Sequence, residues 1–252
     1  MLVDTHAHLD AFSPQEVKEV VKRAFQAGVE QIVAVGCDIT TSQSAVDLAL
    51  AYKEVYATVG VHPHEAESFG QTTFQSLRTL VKAEKVVGVG ECGLDFYRHH
   101  SSVKKQLAAF ERQIELAIEL DLPLIVHCRN AFKETLTLLQ KARLGTFVMH
   151  CFSGSLELAH QFLKLGAFIS LAGPVTFKNT RKSVEVAQKI QIEKLLVETD
   201  TPYLTPHPYR GKRNEPALLP LIARKIAETR GMSFEAVARA TTENAKQVFG
   251  LD

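Results

Sequence analysis

The segment Asp4-Thr5-His6-Ala7-His8 places two imidazoles two residues apart. On an extended strand, residues i and i+2 face the same side, so this spacing aims both rings one way. Four further candidates for the same chemistry end short apolar runs. Glu91 follows Val86-Val87-Gly88-Val89-Gly90, and His127 follows Pro123-Leu124-Ile125-Val126. His150 follows Thr146-Phe147-Val148-Met149, and Asp200 follows Leu195-Leu196-Val197-Glu198-Thr199. Imidazoles and carboxylates without thiolates suit zinc, manganese, iron, cobalt or nickel, with magnesium admitted when substrate is bound. Six ligands exceed what one catalytic ion with an open position requires. Two divalent ions (magnesium, manganese, zinc or similar) sharing a carboxylate fit that number, and the central Glu91 is the natural bridge. Such a pair can hold a hydroxide nucleophile at neutral pH and clamp both oxygens of an in-line displacement. The expected chemistry is metal-dependent hydrolysis.

These residues need parallel strands to carry them. Eight short apolar runs read as strands: 2–4, 31–35, 56–61, 86–89, 124–126, 147–149, 168–170 and 195–197. Nearly all are apolar on both faces, as expected for parallel strands buried between layers. Helical patterns alternate with them. Ser13-Pro14-Gln15-Glu16 reads as a capping box with Pro at the first helical position, followed by a Val17, Val20, Val21, Ala24 stripe and a Gly28 stop. Val103, Leu107, Phe110, Ile114 and Ala117 form a second stripe, and residues 155–165 a third, closed by Gly166. Strict alternation implies a parallel sheet with right-handed crossovers. Eight units favour a closed barrel, and no glycine-rich phosphate loop follows the first strand to support a dinucleotide fold. The expected fold is a single α/β domain over residues 1–252, a distorted TIM (β/α)8 barrel with extra C-terminal helices. Active sites of such barrels lie at the C-terminal ends of the strands, where all six ligand candidates fall.

Composition excludes several alternatives. The 252 residues are 46% hydrophobic and 23% charged, and no apolar run approaches the roughly 20 residues of a membrane span. A formal charge of +1 rules out a grossly basic nucleic-acid coat but leaves room for a basic rim. The opening MLVDTHAH lacks the pattern of a signal peptide, and the four cysteines form no CxxC pair. The expectation is a chain that begins at or near Met1 and works in the cytoplasm with reduced thiols. Cys92, Cys128 and Cys151 each follow a ligand candidate, and strand parity turns them away from the lumen as small core fillers rather than thiolate ligands. No pattern sets an oligomeric state, and a monomer carries the whole ligand set.

The motifs together resemble the TatD family of metal-dependent deoxyribonucleases within the amidohydrolase-like superfamily. The matching segments are DTHAHLD at 4–10, GVHPH at 60–64, GECGLDFYR at 90–98, PLIVHCR at 123–129, MHCFSG at 149–154, ETDTPYL at 198–204 and RNEP at 213–216. The resemblance implies two divalent metals, one on His6, His8 and Asp200, the other on His127 and His150, with Glu91 between them. It also implies cleavage of DNA phosphodiesters, in the 3′-to-5′ exonuclease manner, with a single strand or 3′ end as partner and RNA within range. His62 is implied as a phosphate contact.

Asp200 is expected to serve as ligand and general base, which requires its carboxylate within hydrogen-bond reach of the attacking water. Glu198 and Asp4 share strand faces with Asp200 and His6, so they either orient ligands or form structural pairs. Arg129 shares the inward parity of His127 and could hold a phosphate, as could Arg98; each could equally form an ion pair. Tyr209 and Arg210 belong to a loop, residues 209–214, whose positive charges and aromatic ring could track a strand and stack a base. The competing function is hydrolysis of a carboxyl ester or amide, as by an aminoacyl-tRNA deacylase or a small-molecule amidohydrolase, and only the pocket walls distinguish these.

Overall fold

The computed structural model describes residues 1–252. The eight strands are β1 (Leu2–Ala7), β2 (Val29–Val35), β3 (Val55–Val59), β4 (Val86–Asp95), β5 (Leu124–Arg129), β6 (Phe147–Met149), β7 (Ala167–Leu171) and β8 (Leu195–Val197). They form one sheet in the order β1 to β8, and Ala7 pairs in parallel with Thr201, bringing the end of the chain's last strand segment back to the first. Helices α1 (Pro14–Gln26), α2 (Ile39–Ala51), α3 (Gln71–Leu80), α4 (Val103–Leu120), α5 (Phe132–Ala142), α6 (Leu156–Lys164) and α7 (Arg181–Lys189) follow strands β1 to β7 in turn. After β8 come α8 (Leu219–Arg230) and α9 (Phe234–Phe249). This is the (β/α)8 topology of a TIM barrel. No helix is long and apolar enough to cross a membrane.

Contacts gather into two compact units. One comprises Met1–Ala34, Cys151–His160 and Ile169–Asp252; the other comprises Val35–His150 and Gln161–Phe168. In the first, Leu2, Val3, Ile32, Ile169, Leu195, Leu196, Ile222 and Val237 are buried. Its helix α1 begins as its sequence directs. Ser13 Oγ accepts from the Glu16 N–H, and a Glu16 carboxylate oxygen accepts from the Ser13 N–H at 2.8 Å. Such a cap contributes about 1 kcal/mol.

In the second unit, Val55, Val89, Leu94, Phe110, Leu124, Phe147 and Phe162 form the core. Here β4 runs far beyond its β-branched start, to Asp95. Gly90 and Gly93 permit this at φ of 137° and 139°. A Cβ on Gly93 would lie 2.0 Å from the His127 carbonyl oxygen, so only glycine lets β4 approach β5 so closely. The register then sets Gly93 opposite His127 and Asp95 opposite Arg129.

Helix α4 departs from the expected stripe. Val103 is exposed, whereas Gln106 and Gln113 are buried. Gln113 accepts from the Val61 N–H at 2.7 Å and donates to the Val61 carbonyl at 3.0 Å. Gln106 does the same for Asp95, at 2.9 and 3.1 Å. Strand ends have main-chain groups that burial would otherwise leave unpaired, and an amide side chain supplies both a donor and an acceptor.

Candidate metal centre

In the first unit, His6, His8 and Asp200 offer donor atoms within 4.8 Å of one another. His6 Nε2 and His8 Nε2 are 3.3 Å apart, and Asp200 Oδ1 lies 3.9 and 3.4 Å from them. The main chain assembles this group. Asp200 N–H donates to the His6 carbonyl at 3.0 Å, and His8 N–H donates to the Thr201 carbonyl at 2.8 Å. Asp200 has a left-handed backbone, φ 56°, so β8 ends before it and the carboxylate leaves the strand direction.

Asp4 and Glu198 are fully buried and serve the backbone around this group. Asp4 accepts from Thr199 N–H at 2.9 Å and Thr199 Oγ1 at 2.6 Å, and Glu198 accepts from Cys151 N–H at 2.6 Å. Burial pushes the Asp4 carboxyl up to about 7 against these hydrogen bonds. The loop after β8 is stitched by Asn214, which is buried and donates to the carbonyls of Thr199 and Tyr203 at 2.8 and 2.6 Å. Arg213 stacks on Phe12 at 3.8 Å and pairs with Glu16 at 2.9 Å, so it holds the loop to α1. Tyr209 is exposed and Arg210 lies 4.0 Å over the Phe177 ring.

In the second unit, three imidazole nitrogens surround one carboxylate oxygen. Glu91 Oε1 lies 2.8 Å from His127 Nδ1, 3.1 Å from His150 Nε2 and 3.4 Å from His62 Nε2. Glu91 is 2% exposed. Cys37, which the sequence does not single out, has its Sγ 3.7 Å from Glu91 Oε2. His62 Nδ1 accepts the His64 N–H at 3.1 Å, which places the ring proton of a neutral His62 on Nε2. Burial holds this imidazole well below its ordinary pKa, outweighing the pull of Glu91, so the ring is neutral; its donor atom lies with those of Glu91 and His127 in a group within 4.8 Å of one another. His127 is raised: burial opposes its charge, but Asp95 and Glu91 on either side of the ring outweigh it.

Arg129 is exposed at the end of β5, its guanidinium 3.9 Å over the exposed Tyr97 ring; Arg98 lies 6.0 Å from the same ring. The cysteines beside the ligand candidates divide. Cys92 is fully buried, and Cys128 lies 3.3 Å from Thr135 Oγ1 on α5, its thiol pushed up to about 12 by burial. Cys151 is partly exposed with φ 43°, so strand parity does not extend to it. None of the four cysteines is in a disulfide.

Two groups fit divalent ions, His6, His8 and Asp200 in one unit and His62, Glu91 and His127 in the other: buried or half-buried, convergent imidazole and carboxylate donors, spaced near what ligands at about 2.0–2.2 Å from one ion span. A parallel barrel carrying such donors at its strand ends defines a metal-dependent hydrolase of the TIM-barrel class. The chain belongs to the family of TatD-related DNases, whose model matches residues 3–250. It is 43% identical to the metal-dependent hydrolase YabD of Bacillus subtilis, over all of both chains. It is 39% identical to the 3′-5′ ssDNA/RNA exonuclease TatD of Citrobacter rodentium, covering 92% of this chain and 91% of that one. The crystal structure of YjjV, a TatD homologue from Escherichia coli K12, superposes with a TM-score of 0.94 at 30% identity, covering 100% of this chain and 98% of that one.

Proposed function

We propose that the protein is a cytoplasmic nuclease that hydrolyses phosphodiester bonds of single-stranded DNA from the 3′ end, with RNA as a second substrate. The observation that carries this reading is the wrapping of Glu91 Oε1 by His62, His127 and His150 in a chain matched by the DNase family almost end to end. The name of the Citrobacter rodentium relative supports the polarity and the single-stranded substrate.

His6, His8 and Asp200 would hold one divalent ion, and His127 and His150 another, with Glu91 as the carboxylate shared between them. The sharing is what the resemblance of the motifs implies, and six residues suffice for two ions with open positions. The ions, when bound, supply a nucleophile at neutral pH and neutralise charge on the phosphate. Asp200 takes the proton from the attacking water. Neutral His62 donates its Nε2–H to a phosphate oxygen, an assignment that its hydrogen bond from His64 supports. Arg129 and Tyr97, stacked at 3.9 Å, present a cation and a ring to a single strand. Arg98, Tyr209 and Arg210 would make further substrate contacts.

End-labelled single-stranded DNA and RNA, aminoacyl-tRNA and simple carboxyl esters, each incubated with metal-loaded protein, test this reading. Mononucleotides released from the 3′ end, and lost with Glu91→Ala, support it. Ester turnover with nucleic acid left intact overturns it.

A further inference from the structure

Asp95 ends β4 with 1% of its surface exposed. Its N–H and carbonyl are clamped by Gln106, as described above. Its Oδ1 accepts the N–H groups of Tyr97 and Arg98, each at 2.8 Å. These four hydrogen bonds fix the carboxylate and leave Oδ2 to face two imidazoles. His64 Nε2 lies 2.9 Å from it and His127 Nε2 3.4 Å. The Nε2 of His127 is buried and has no closer hydrogen-bond partner.

We infer that Asp95 is the positioning residue for His127: its Oδ2 accepts the Nε2–H and thereby reserves the Nδ1 lone pair for a metal ion. A neutral imidazole carries one ring proton. With that proton on Nδ1, Nε2 would present a lone pair to a carboxylate oxygen and no hydrogen bond could form. With it on Nε2, the acceptor at Asp95 is satisfied and Nδ1 turns its lone pair toward Glu91, 2.8 Å away, the side on which an ion shared with that carboxylate would be held. His64 donates to the same oxygen and keeps it in place. A purely structural Asp95 would need only the turn made by Oδ1. The approach of two rings to Oδ2 is what that role leaves unexplained. Hydrogen bonds of this type orient metal-binding histidines, and losing one weakens metal affinity about 10–100-fold.

This inference rests on His127 holding a metal, as proposed above, and the test separates the two. Asp95→Asn keeps the Oδ1 acceptor for the turn but turns Oδ2 into an NH2 donor facing both rings. Long-range proton–nitrogen spectra of the metal-free protein, at a pH where His127 is neutral, report its tautomer, with His127→Gln providing the assignment. The expected result is Nε2–H in the wild type and Nδ1–H in Asp95→Asn. Zinc titration by calorimetry should then show one ion bound about 10–100-fold more weakly in Asp95→Asn, with Asp95→Glu recovering part of the loss. A wild-type proton on Nδ1, or Asp95→Asn binding zinc as tightly as the wild type, overturns the inference. Should Asp95→Asn fail to fold, the wild-type tautomer decides alone. If the wild type binds no zinc, the metal reading of the centre fails, while the spectra still decide what Asp95 does to His127.

Discussion

The two ligand groups are built by different means. Around His6, His8 and Asp200 the main chain does the positioning, through hydrogen bonds of 3.0 and 2.8 Å between the segments that carry them. Around Glu91 and His127 similar main-chain bonds form, such as Glu91 N–H to the Gly36 carbonyl at 3.0 Å, but buried side chains add a further layer, through Asp95, Gln106, Gln113 and His64. Main-chain pairing forms whatever the side chains are, so the first arrangement follows from strand register. The second depends on a few buried polar groups, each of which must find its partner. A single substitution should therefore be felt differently in the two groups.

The largest effect expected is at Glu91, where Glu91→Gln keeps the shape and removes the charge. Nuclease turnover should fall about 10³-fold or more, with fewer than two ions retained by metal analysis. Unchanged metal content would remove Glu91 from the ligand set. Asp200→Asn should cost about 10²–10⁴-fold in turnover, measured under single-turnover conditions, the range for a lost general base. Its loss should leave the ion at His127 and His150 in place.

The comparison sharpens with residues that touch no ion. Asn214→Ala removes two hydrogen bonds to buried carbonyls beside Asp200 and should cost about 1–3 kcal/mol, read from the denaturant midpoint. The zinc affinity of the Glu91 group should not change. A pH-dependent effect concerns Asp4 in the metal-free protein. Its folded-state pKa of about 7 exceeds the unfolded value of 3.8, so the folded state binds the extra proton between these values. Stability from this group is then present below about pH 4 and lost as pH rises to about 7. Asp4→Asn should flatten that slope in denaturation curves taken across the window; parallel slopes for the two proteins would contradict the assignment.

The barrel and the six ligand candidates were legible because both rest on local patterns. Apolar runs mark buried parallel strands, and a His or carboxylate ending such a run sits where barrel sites lie. All eight runs became strands, though β4 extends to Asp95 because Gly90 and Gly93 carry it past its last β-branched residue. What was not legible depends on which distant groups meet. Gln106 and Gln113 look like polar interruptions of a helix stripe until the unpaired strand ends they serve are known. Arg213 reads only as one charge of the 209–214 loop, and nothing local points to Glu16, far away in the chain, as its partner. Asp95 was visible inside GECGLDFYR, but nothing in the motif says that its second oxygen faces two imidazoles. Cys37 gave no signal at all.

The central claim is a metal-dependent nuclease whose key carboxylate is Glu91. Its most direct test is the release of 3′ mononucleotides from end-labelled single-stranded DNA by wild type and Glu91→Gln, each metal-free and metal-loaded. The account predicts release only by metal-loaded wild type. Equal release by metal-loaded Glu91→Gln, or release by metal-free wild type, would contradict it.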